Sequence, residues 1–194
     1  MQEYKDGDLT AIAIGTGPSF YEWIKTPMIE YRRSEPSGQD IIFQPKLYGC
    51  GIVPLYVNNL FAYGYGDVTH VDHIPDPNAP FHPGCLNYSG TRNLQDKPGL
   101  LPYTDLDLPH GNSSGGMALS MACLHHDVVG IIGFDGYPSG FLSYQANQDF
   151  VNDFRYLINY WQNRGRRIIS LMPKSVFNPI IEPALPSQVC LPPR

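Results

Sequence analysis

The stretch TAIAI at residues 10–14, followed by GTGPS at residues 15–19, decides the fold of this chain. The first five residues are apolar and partly β-branched, which is typical of a buried strand in a parallel sheet. The glycines then allow a sharp turn, and Ser19 with Glu22 three residues later matches a capping box. The stretch therefore predicts a strand, a glycine loop and a helix of about ten residues that starts at Ser19.

The second half of the chain continues this alternation. A Ser-Gly-rich turn opens a helix of small residues, a buried strand follows, and a longer amphipathic helix leads into a last strand. These elements are predicted at residues 113–116 (turn), 117–124 (helix), 128–133 (strand), 149–164 (helix, with Gly165 as its C-cap) and 166–171 (strand). The order predicts an α/β fold with a single Rossmann-like, doubly wound and mostly parallel sheet.

The middle of the chain has weaker patterns. Residues 40–44 and 67–72 are predicted as strands and residues 55–63 as a helix. Residues 74–112 are predicted as a long loop-rich region, which is an insertion, a lid or a set of short elements. We expect residues 1–180 to form one nucleotide-binding α/β domain. Residues 181–194 are too rich in proline for a helix, and we expect an extended or partly disordered C-terminal arm there.

Composition excludes several classes of protein. Of the 194 residues, 42% are hydrophobic and 16% are charged, which is not the balance of a disordered chain. The formal net charge of -5 argues against broad nucleic-acid binding. No run of 18 apolar residues indicates a membrane span, and the polar N-terminus lacks a signal-peptide core, so we expect a cytoplasmic protein. The four cysteines are far apart and predict free thiols, and a homo-oligomer is left open.

In a doubly wound sheet, ligands bind at the carboxyl ends of the strands. Three predicted turns lie there, at residues 15–19, 133–137 and 172–175. The glycine loop would bring backbone N–H groups close to an anion, and Asp135 would accept hydrogen bonds from ribose hydroxyls. Each feature has a plainer alternative. The glycine loop could be a strand–helix turn without a ligand, the Ser113–Gly116 turn could simply cap its helix, and Asp135 could bond its own backbone.

The ordered motifs G-x-G-P-S, Ser-Ser-Gly-Gly, G-x-D and a final Pro-x-Ser resemble a known family. They look like those of the bacterial CMP-sialic-acid-dependent sialyltransferases, of 6-hydroxymethylpterin pyrophosphokinase-like proteins and of uncharacterised phage proteins. The resemblance covers residues 10–26 and 112–178. It implies a pocket for a cytidine-like nucleotide, lined by Gly15, Thr16, Gly17 and Ser19 (phosphate and ribose), Ser113, Ser114 and Gly115 (phosphate or sugar), Gly133, Phe134, Asp135 and Tyr137 (nucleoside), and Pro173 and Ser175 (base).

The chain departs from the sialyltransferases at two places. They have Asn where this chain has Thr16, and they carry a catalytic His in a lid between the G-x-D turn and the closing helix. Here the corresponding residues 138–148 contain no histidine. Either a general base comes from elsewhere or the chain is not that enzyme. His110 and Asp72 are the first candidates for the base, and Asp105 and Asp107 could also supply it. The pair His125-His126 is expected to complement the charge at the C-terminus of the preceding helix.

Three functions remain open on the sequence alone. The first is a nucleotide-sugar-dependent glycosyltransferase with a CMP- or UMP-type donor, no required cofactor, and a sugar, lipid or modified nucleobase as acceptor. The second is a non-catalytic module that binds or sequesters a nucleotide. The third is a diphosphotransferase that would need Mg²⁺, for which Asp105 and Asp107 are the only close carboxylate pair.

Overall fold

The computed structural model describes residues 8–25, 30–65, 85–89, 100–110, 113–136, 144–171, 182–183 and 190–191. These ranges contain both strands and helices. The strands are β1 Ala11–Ile14, β2 Glu30–Ser34, β3 Asp40–Phe43, β4 Lys46–Cys50, β5 Ala62–Tyr65, β6 Leu86–Ser89, β7 Leu100–Pro102, β8 Val128–Ile132, β9 Arg167–Ser170, β10 Glu182–Pro183 and β11 Cys190–Leu191. The helices are α1 Pro18–Trp23, α2 Ser114–His125 and α3 Tyr144–Gln162, with 3₁₀ turns at Val53–Leu55 and Tyr103–Leu106.

Eight strands form one sheet in the order β10-β9-β8-β1-β4-β5-β6-β7, and all neighbours are parallel. β1 is central, and Ile14 lies opposite Gly49 of β4 on one side and Ile132 of β8 on the other. The chain order runs outward from β1 in both directions, which is the doubly wound arrangement. The predicted α/β fold is thus confirmed, and the loops after β1, β4 and β8 leave the sheet at the same edge.

The two faces of the sheet are covered by different elements. Ala11 and Ala13 of β1 face the core that contains α2 and α3, whereas Ile12 and Ile14 face the core that contains α1 and the first 3₁₀ turn. The two alanines leave room for α2, whose residues 115–123 are all buried. This close packing holds α2 against the centre of the sheet.

A smaller antiparallel sheet, in the order β11-β2-β3, contains the hairpin that precedes β4. The described parts of the C-terminal arm take part in both sheets. β10 pairs in parallel with β9, and β11 pairs with β2. These pairings add strands to a segment in which the sequence predicts only an extended arm. In the ranges that the structure describes, no helix combines the length and the apolar character needed to cross a membrane.

The helix predicted in the middle of the chain is wrong. Residues 55–63 do not form a helix, because Pro54 lies in a 3₁₀ turn and Ala62 and Tyr63 pair with β4 as strand β5. In the region 74–112, the described residues include strands β6 and β7, which agrees with the alternative of a set of short elements. The strand predicted at residues 67–72 lies outside the described residues.

The helix ends agree with the sequence in part. Gly165 ends α3 as predicted, since it has φ +81°, and Arg166 N–H donates to the Trp161 carbonyl at 3.0 Å. The capping box at Ser19 is wrong. α1 has six residues, begins at Pro18 and has Gly17 as its N-cap, without a side-chain hydrogen bond from that residue. Proline suits this first helical position because its missing N–H would be unpaired there anyway.

His126 has a different role from the predicted charge complementation. Its Nδ1 lies 2.9 Å from Thr10 Oγ1 and its Nε2 lies 3.1 Å from the Tyr48 hydroxyl. Burial, together with the nearby Lys46 cation, lowers the pKa of His126 to about 4. The ring is therefore neutral at pH 7 and connects the end of α2 to β4 and to the residue before β1, so the prediction of a helix-end charge is wrong for this residue.

We expect the free energy of unfolding to fall as the pH drops from about 6.5 towards 4. The unfolded chain has the ordinary histidine pKa of about 6.5, so it binds a proton before folded His126 does. The free energy of unfolding is therefore highest above pH 6.5 and falls as the pH drops towards the folded pKa of His126, which is about 4. Urea unfolding at stepwise pH measures this slope.

The variant His126→Gln should reduce the slope, and the exposed neighbour His125→Gln is its control. An unchanged slope in His126→Gln would contradict the assignment.

Candidate functional site

The ends of β1 and β4 and the start of α2 meet at the carboxyl edge of the sheet. The Cys50 thiol donates a hydrogen bond to the Ile14 carbonyl at 3.5 Å, and Ser114 forms a side-chain hydrogen bond with Cys50. Burial raises the pKa of Cys50 to about 12, so this thiol is structural and not a nucleophile. Cys50 and Gly51 are not among the predicted site residues, because β4 is not predicted from the sequence and its end could not be placed at this edge.

The loops after β1 and β8 touch backbone to backbone. The N–H groups of Gly15 and Gly17 donate to the carbonyls of Ile132 and Gly133, each at 2.8 Å. A Cβ on Gly15 would lie 2.3 Å from the Gly133 carbonyl oxygen, and a Cβ on Gly133 would lie 2.3 Å from that of Gly15. Gly133 also has φ +73°. Both glycines are required because the two loops leave no space for a side chain.

Ser19 and Asp135 join the same two loops through their side chains. The backbone N–H of Ser19 donates to both carboxylate oxygens, at 3.2 and 3.0 Å, and its hydroxyl donates to Oδ1 at 2.7 Å. The Ser19 hydroxyl also accepts a hydrogen bond from Gly133 N–H at 2.9 Å. Asp135 thus supplies from another loop the cap that Gly17 lacks.

These bonds limit what the glycine loop offers to a ligand. The N–H groups of Gly15, Gly17 and Ser19 already have acceptors. Thr16 is half-buried, and no residue in the described ranges is hydrogen-bonded to it. The nucleotide contacts predicted for the two glycines stay predictions. Among residues 15–19, Thr16 is the residue whose N–H and hydroxyl have no acceptor in the described part of the chain.

The N-terminus of α2 has a conventional cap and two N–H groups in front of it. Ser113 is the N-cap, and its hydroxyl accepts a hydrogen bond from Gly116 N–H at 3.0 Å, as the capping alternative expects. The N–H groups of Ser114 and Gly115 precede the first intrahelical bond, and nothing in the described chain accepts from them. Such groups, with the dipole of a twelve-residue helix, favour an anion.

Phe134 belongs to the core rather than to an open pocket. Its side chain is buried and packs edge-on against Phe154 of α3, with ring centroids 4.8 Å apart. A Cβ on Gly115 would lie 3.5 Å from the Phe134 ring, so the ring also lies beside the first turn of α2. Only the backbone of Phe134 is left for the ligand contact that the sequence predicts.

His110 lies beside the first turn of α2. Its carbonyl accepts hydrogen bonds from Ser113 N–H at 3.2 Å and from the Ser113 hydroxyl at 3.4 Å. Its ring packs edge-on against Tyr103 with centroids 5.5 Å apart, and burial lowers its pKa. The imidazole is therefore neutral at pH 7. The other predicted catalytic residue, Asp72, and the predicted contacts Tyr137, Pro173 and Ser175 lie outside the described residues.

The described ranges contain no group of three or more His, Cys, Asp or Glu side chains that could share a metal ion. Asp105 lies in the second 3₁₀ turn, and Asp107 is exposed directly after it, with φ +48°. Asp135 is engaged by Ser19. The Mg²⁺ requirement of a diphosphotransferase stays a prediction.

The close contact between the two glycine loops predicts a large stability difference between two alanine substitutions. Gly133→Ala should lower the free energy of unfolding by about 3 kcal/mol, because the new Cβ is both strained at positive φ and in collision with Gly15. Gly165→Ala is the matched control. Its φ is also positive, +81°, but no atom lies within 4 Å of the added Cβ, so about 1 kcal/mol is expected. Urea unfolding compares the two, and equal losses would contradict the contact.

No protein-family model and no curated protein matches this sequence. Solved structures with a similar fold include two of sialyltransferases. One is the sialyltransferase CstII from Campylobacter jejuni in complex with the substrate analogue CMP-3FNeuAc. That match has a TM-score of 0.51 and 14% identity, and it covers 93% of this chain and 86% of the other.

The second solved structure is a variant of the sialyltransferase CST-II in complex with CMP. It has a TM-score of 0.54 and 14% identity, and the match covers 94% of this chain and 88% of the other. The likeness to pyrophosphokinase-like and phage proteins stays a prediction. At 14% identity the likeness concerns the fold, and this chain has a sialyltransferase-like α/β fold.

Proposed function

We propose that this chain is a nucleotide-sugar-dependent glycosyltransferase-like protein that binds a CMP- or UMP-type donor at the carboxyl edge of β1, β4 and β8. The observation that carries the proposal is that nothing in the described part of the chain accepts from the N–H groups of Ser114 and Gly115, which lie at the edge where β1 and β4 end. The two solved structures with a similar fold hold CMP or CMP-3FNeuAc, and a ligand at the strand ends is usual for doubly wound sheets.

The N-terminus of α2 suits the charge that develops in such a transfer. When the bond between the sugar carbon and the phosphate oxygen breaks, the bonding electrons stay on the nucleotide phosphate. The N–H groups of Ser114 and Gly115 and the α2 dipole would stabilise this negative charge. Gly116 N–H does not contribute, because the Ser113 hydroxyl already accepts from it.

The acceptor hydroxyl must lose its proton to a general base. His110 is our first candidate, because its carbonyl is bonded to the N-cap of α2 and its ring is neutral at pH 7. Asp72 is the second. A non-catalytic module that binds the same nucleotide is the alternative, and it is favoured by the lack of histidine in residues 138–148.

Donor binding is tested with two substitutions at one residue. Ser114→Ala removes the hydroxyl, whereas Ser114→Pro removes the hydroxyl and the N–H. Proline is tolerated at this first helical position, and the preceding Ser113 already has the extended backbone that proline demands, with φ -139° and ψ 147°. Calorimetry with CMP, UMP and their sugar conjugates should show binding to the wild type. Ser114→Pro should bind about 10-fold more weakly than Ser114→Ala, because a charge-assisted hydrogen bond is lost.

Wild-type protein that binds none of these nucleotides would refute the proposal. Equal affinity in the two variants would show that the Ser114 N–H does not contact the phosphate.

Catalysis is tested with His110→Ala, which keeps the carbonyl that holds Ser113. Turnover of a CMP-sugar by the wild type should fall by about 100-fold or more in this variant, and the exposed His125→Ala is the control. Because a base must be deprotonated, the wild-type kcat should be flat at neutral pH. It should fall only below pH 6.5, through the lowered pKa of His110. Turnover that survives in His110→Ala would assign the base elsewhere, and nucleotide binding without any turnover would favour the non-catalytic module.

A further inference from the structure

We propose that Asp135 is a positioning residue that sets the glycine loop through Ser19, so that Thr16 can make the nucleotide contact that the resemblance implies for it. The inference rests on the proposed function and deepens it. It reverses the assignment that the motif suggests for Asp135, in which the carboxylate itself binds the nucleoside. The hydrogen-bond acceptors of Asp135 are already occupied by Ser19.

Ser19 uses most of the hydrogen-bonding capacity of Asp135. A carboxylate has about four lone-pair sites, and Ser19 supplies three contacts to them, two from its N–H and one from its hydroxyl. Ribose hydroxyls would have to displace these contacts. Displacement would leave the buried Ser19 N–H without a partner, which is costly inside a protein.

The space beside the carboxylate is also filled. A Cβ on Gly17 would lie 2.7 Å from Asp135 Oδ1 and 2.7 Å from the Gly136 carbonyl oxygen. The glycine at position 17 is therefore explained by the carboxylate next to it, without a phosphate in that place. The motifs G-x-G and G-x-D therefore belong to two loops that pack against each other. We call this contact between residues 15–19 and 133–136 the joint.

Ser19 transmits the position of Asp135 to the rest of the joint. Its hydroxyl donates to Asp135 and accepts from Gly133 N–H, so it fixes the turn that follows β8. Gly133 in turn accepts from Gly17 N–H through its carbonyl. Moving any one of these groups would shift residues 15–19 relative to the start of α2, where nothing in the described chain accepts from the N–H groups of Ser114 and Gly115.

Thr16 is the residue of the glycine loop that takes no part in the hydrogen bonds between the two loops. It lies between Gly15 and Gly17, whose N–H groups are both taken, and it is half-buried. No residue in the described part of the chain is hydrogen-bonded to its N–H or hydroxyl. A hydroxyl and an N–H at the carboxyl end of the central strand are suited to a phosphate or ribose oxygen.

A double-mutant cycle separates positioning from direct contact. Ser19→Ala, Asp135→Ala and the double variant are titrated with CMP by calorimetry. If Asp135 acts through Ser19, each single variant binds CMP about 10-fold more weakly and the double variant is no weaker than the singles, because all three break one network. Asp135→Asn should recover part of the affinity, since its carbonyl oxygen still accepts from Ser19 N–H. Losses that multiply to about 100-fold, or a loss confined to Asp135→Ala, would overturn the inference.

Thr16→Val tests the ligand contact, since it keeps the shape of the side chain and removes the hydroxyl. It should weaken CMP binding about 10-fold with an unchanged urea midpoint, and the exposed Thr104→Val is its control. Unchanged CMP affinity in Thr16→Val would overturn the assignment of Thr16.

Hydrogen exchange without ligand keeps this test distinct from the proposed function. The N–H groups of Gly17 and Gly133 should exchange at least about 10-fold faster in Ser19→Ala than in the wild type, whereas amides of β8 should not change. Unchanged protection of the Gly17 and Gly133 amides in Ser19→Ala would overturn the proposed role of Ser19 in holding the two loops together, whether or not CMP binds. Wild-type protein that binds no nucleotide but shows the faster exchange would refute the proposed function and the contact at Thr16, and leave Asp135 as a residue that sets the loop.

Discussion

The close approach of the loops after β1 and β8 is the contact on which the carboxyl edge depends. Because β1 and β8 are parallel neighbours in register, their following residues leave the sheet side by side. The backbones then come so close that Gly15 and Gly133 exclude each other's side chains. Two short hydrogen bonds and the Ser19–Asp135 network hold them there. The start of α1 follows from this contact, since its cap comes from Asp135 and not from its own sequence.

A second constraint brings α2 to the same edge. The alanines of β1 and the small residues of α2 let the helix pack directly on the centre of the sheet. The His110 carbonyl approaches Gly116 so closely that a Cβ there would lie 1.8 Å away. The first turn of α2 therefore lies between His110 and the ends of β1 and β4. The N–H groups of Ser114 and Gly115 at that turn, from which nothing in the described residues accepts, are suited to an anionic ligand.

The elements that the sequence predicted correctly are those with a strong local pattern. β1 and β8 are apolar runs that end in glycine, and α3 has apolar residues at helical spacing with Gly165 at its end. β4 and β5 were missed because they contain glycines and tyrosines, and their strand character comes from pairing with buried neighbours. The candidate site was placed at the ends of these strands for the same reason, since two of its loops directly follow predicted strands, and its role in binding stays a prediction.

By itself, the sequence determined the fold class, the central strand and the glycine positions, because apolar periodicity and glycine are local properties of the chain. Only the tertiary structure decided what those glycines are for. Gly15, Gly17 and Gly133 make room for another loop, and Ser19 caps no helix but holds an aspartate that is 116 residues away along the chain. A hydrogen-bond partner so distant along the chain cannot be predicted from local spacing. The sequence therefore indicates an anion site in the glycine loop, but not the second loop that packs against it.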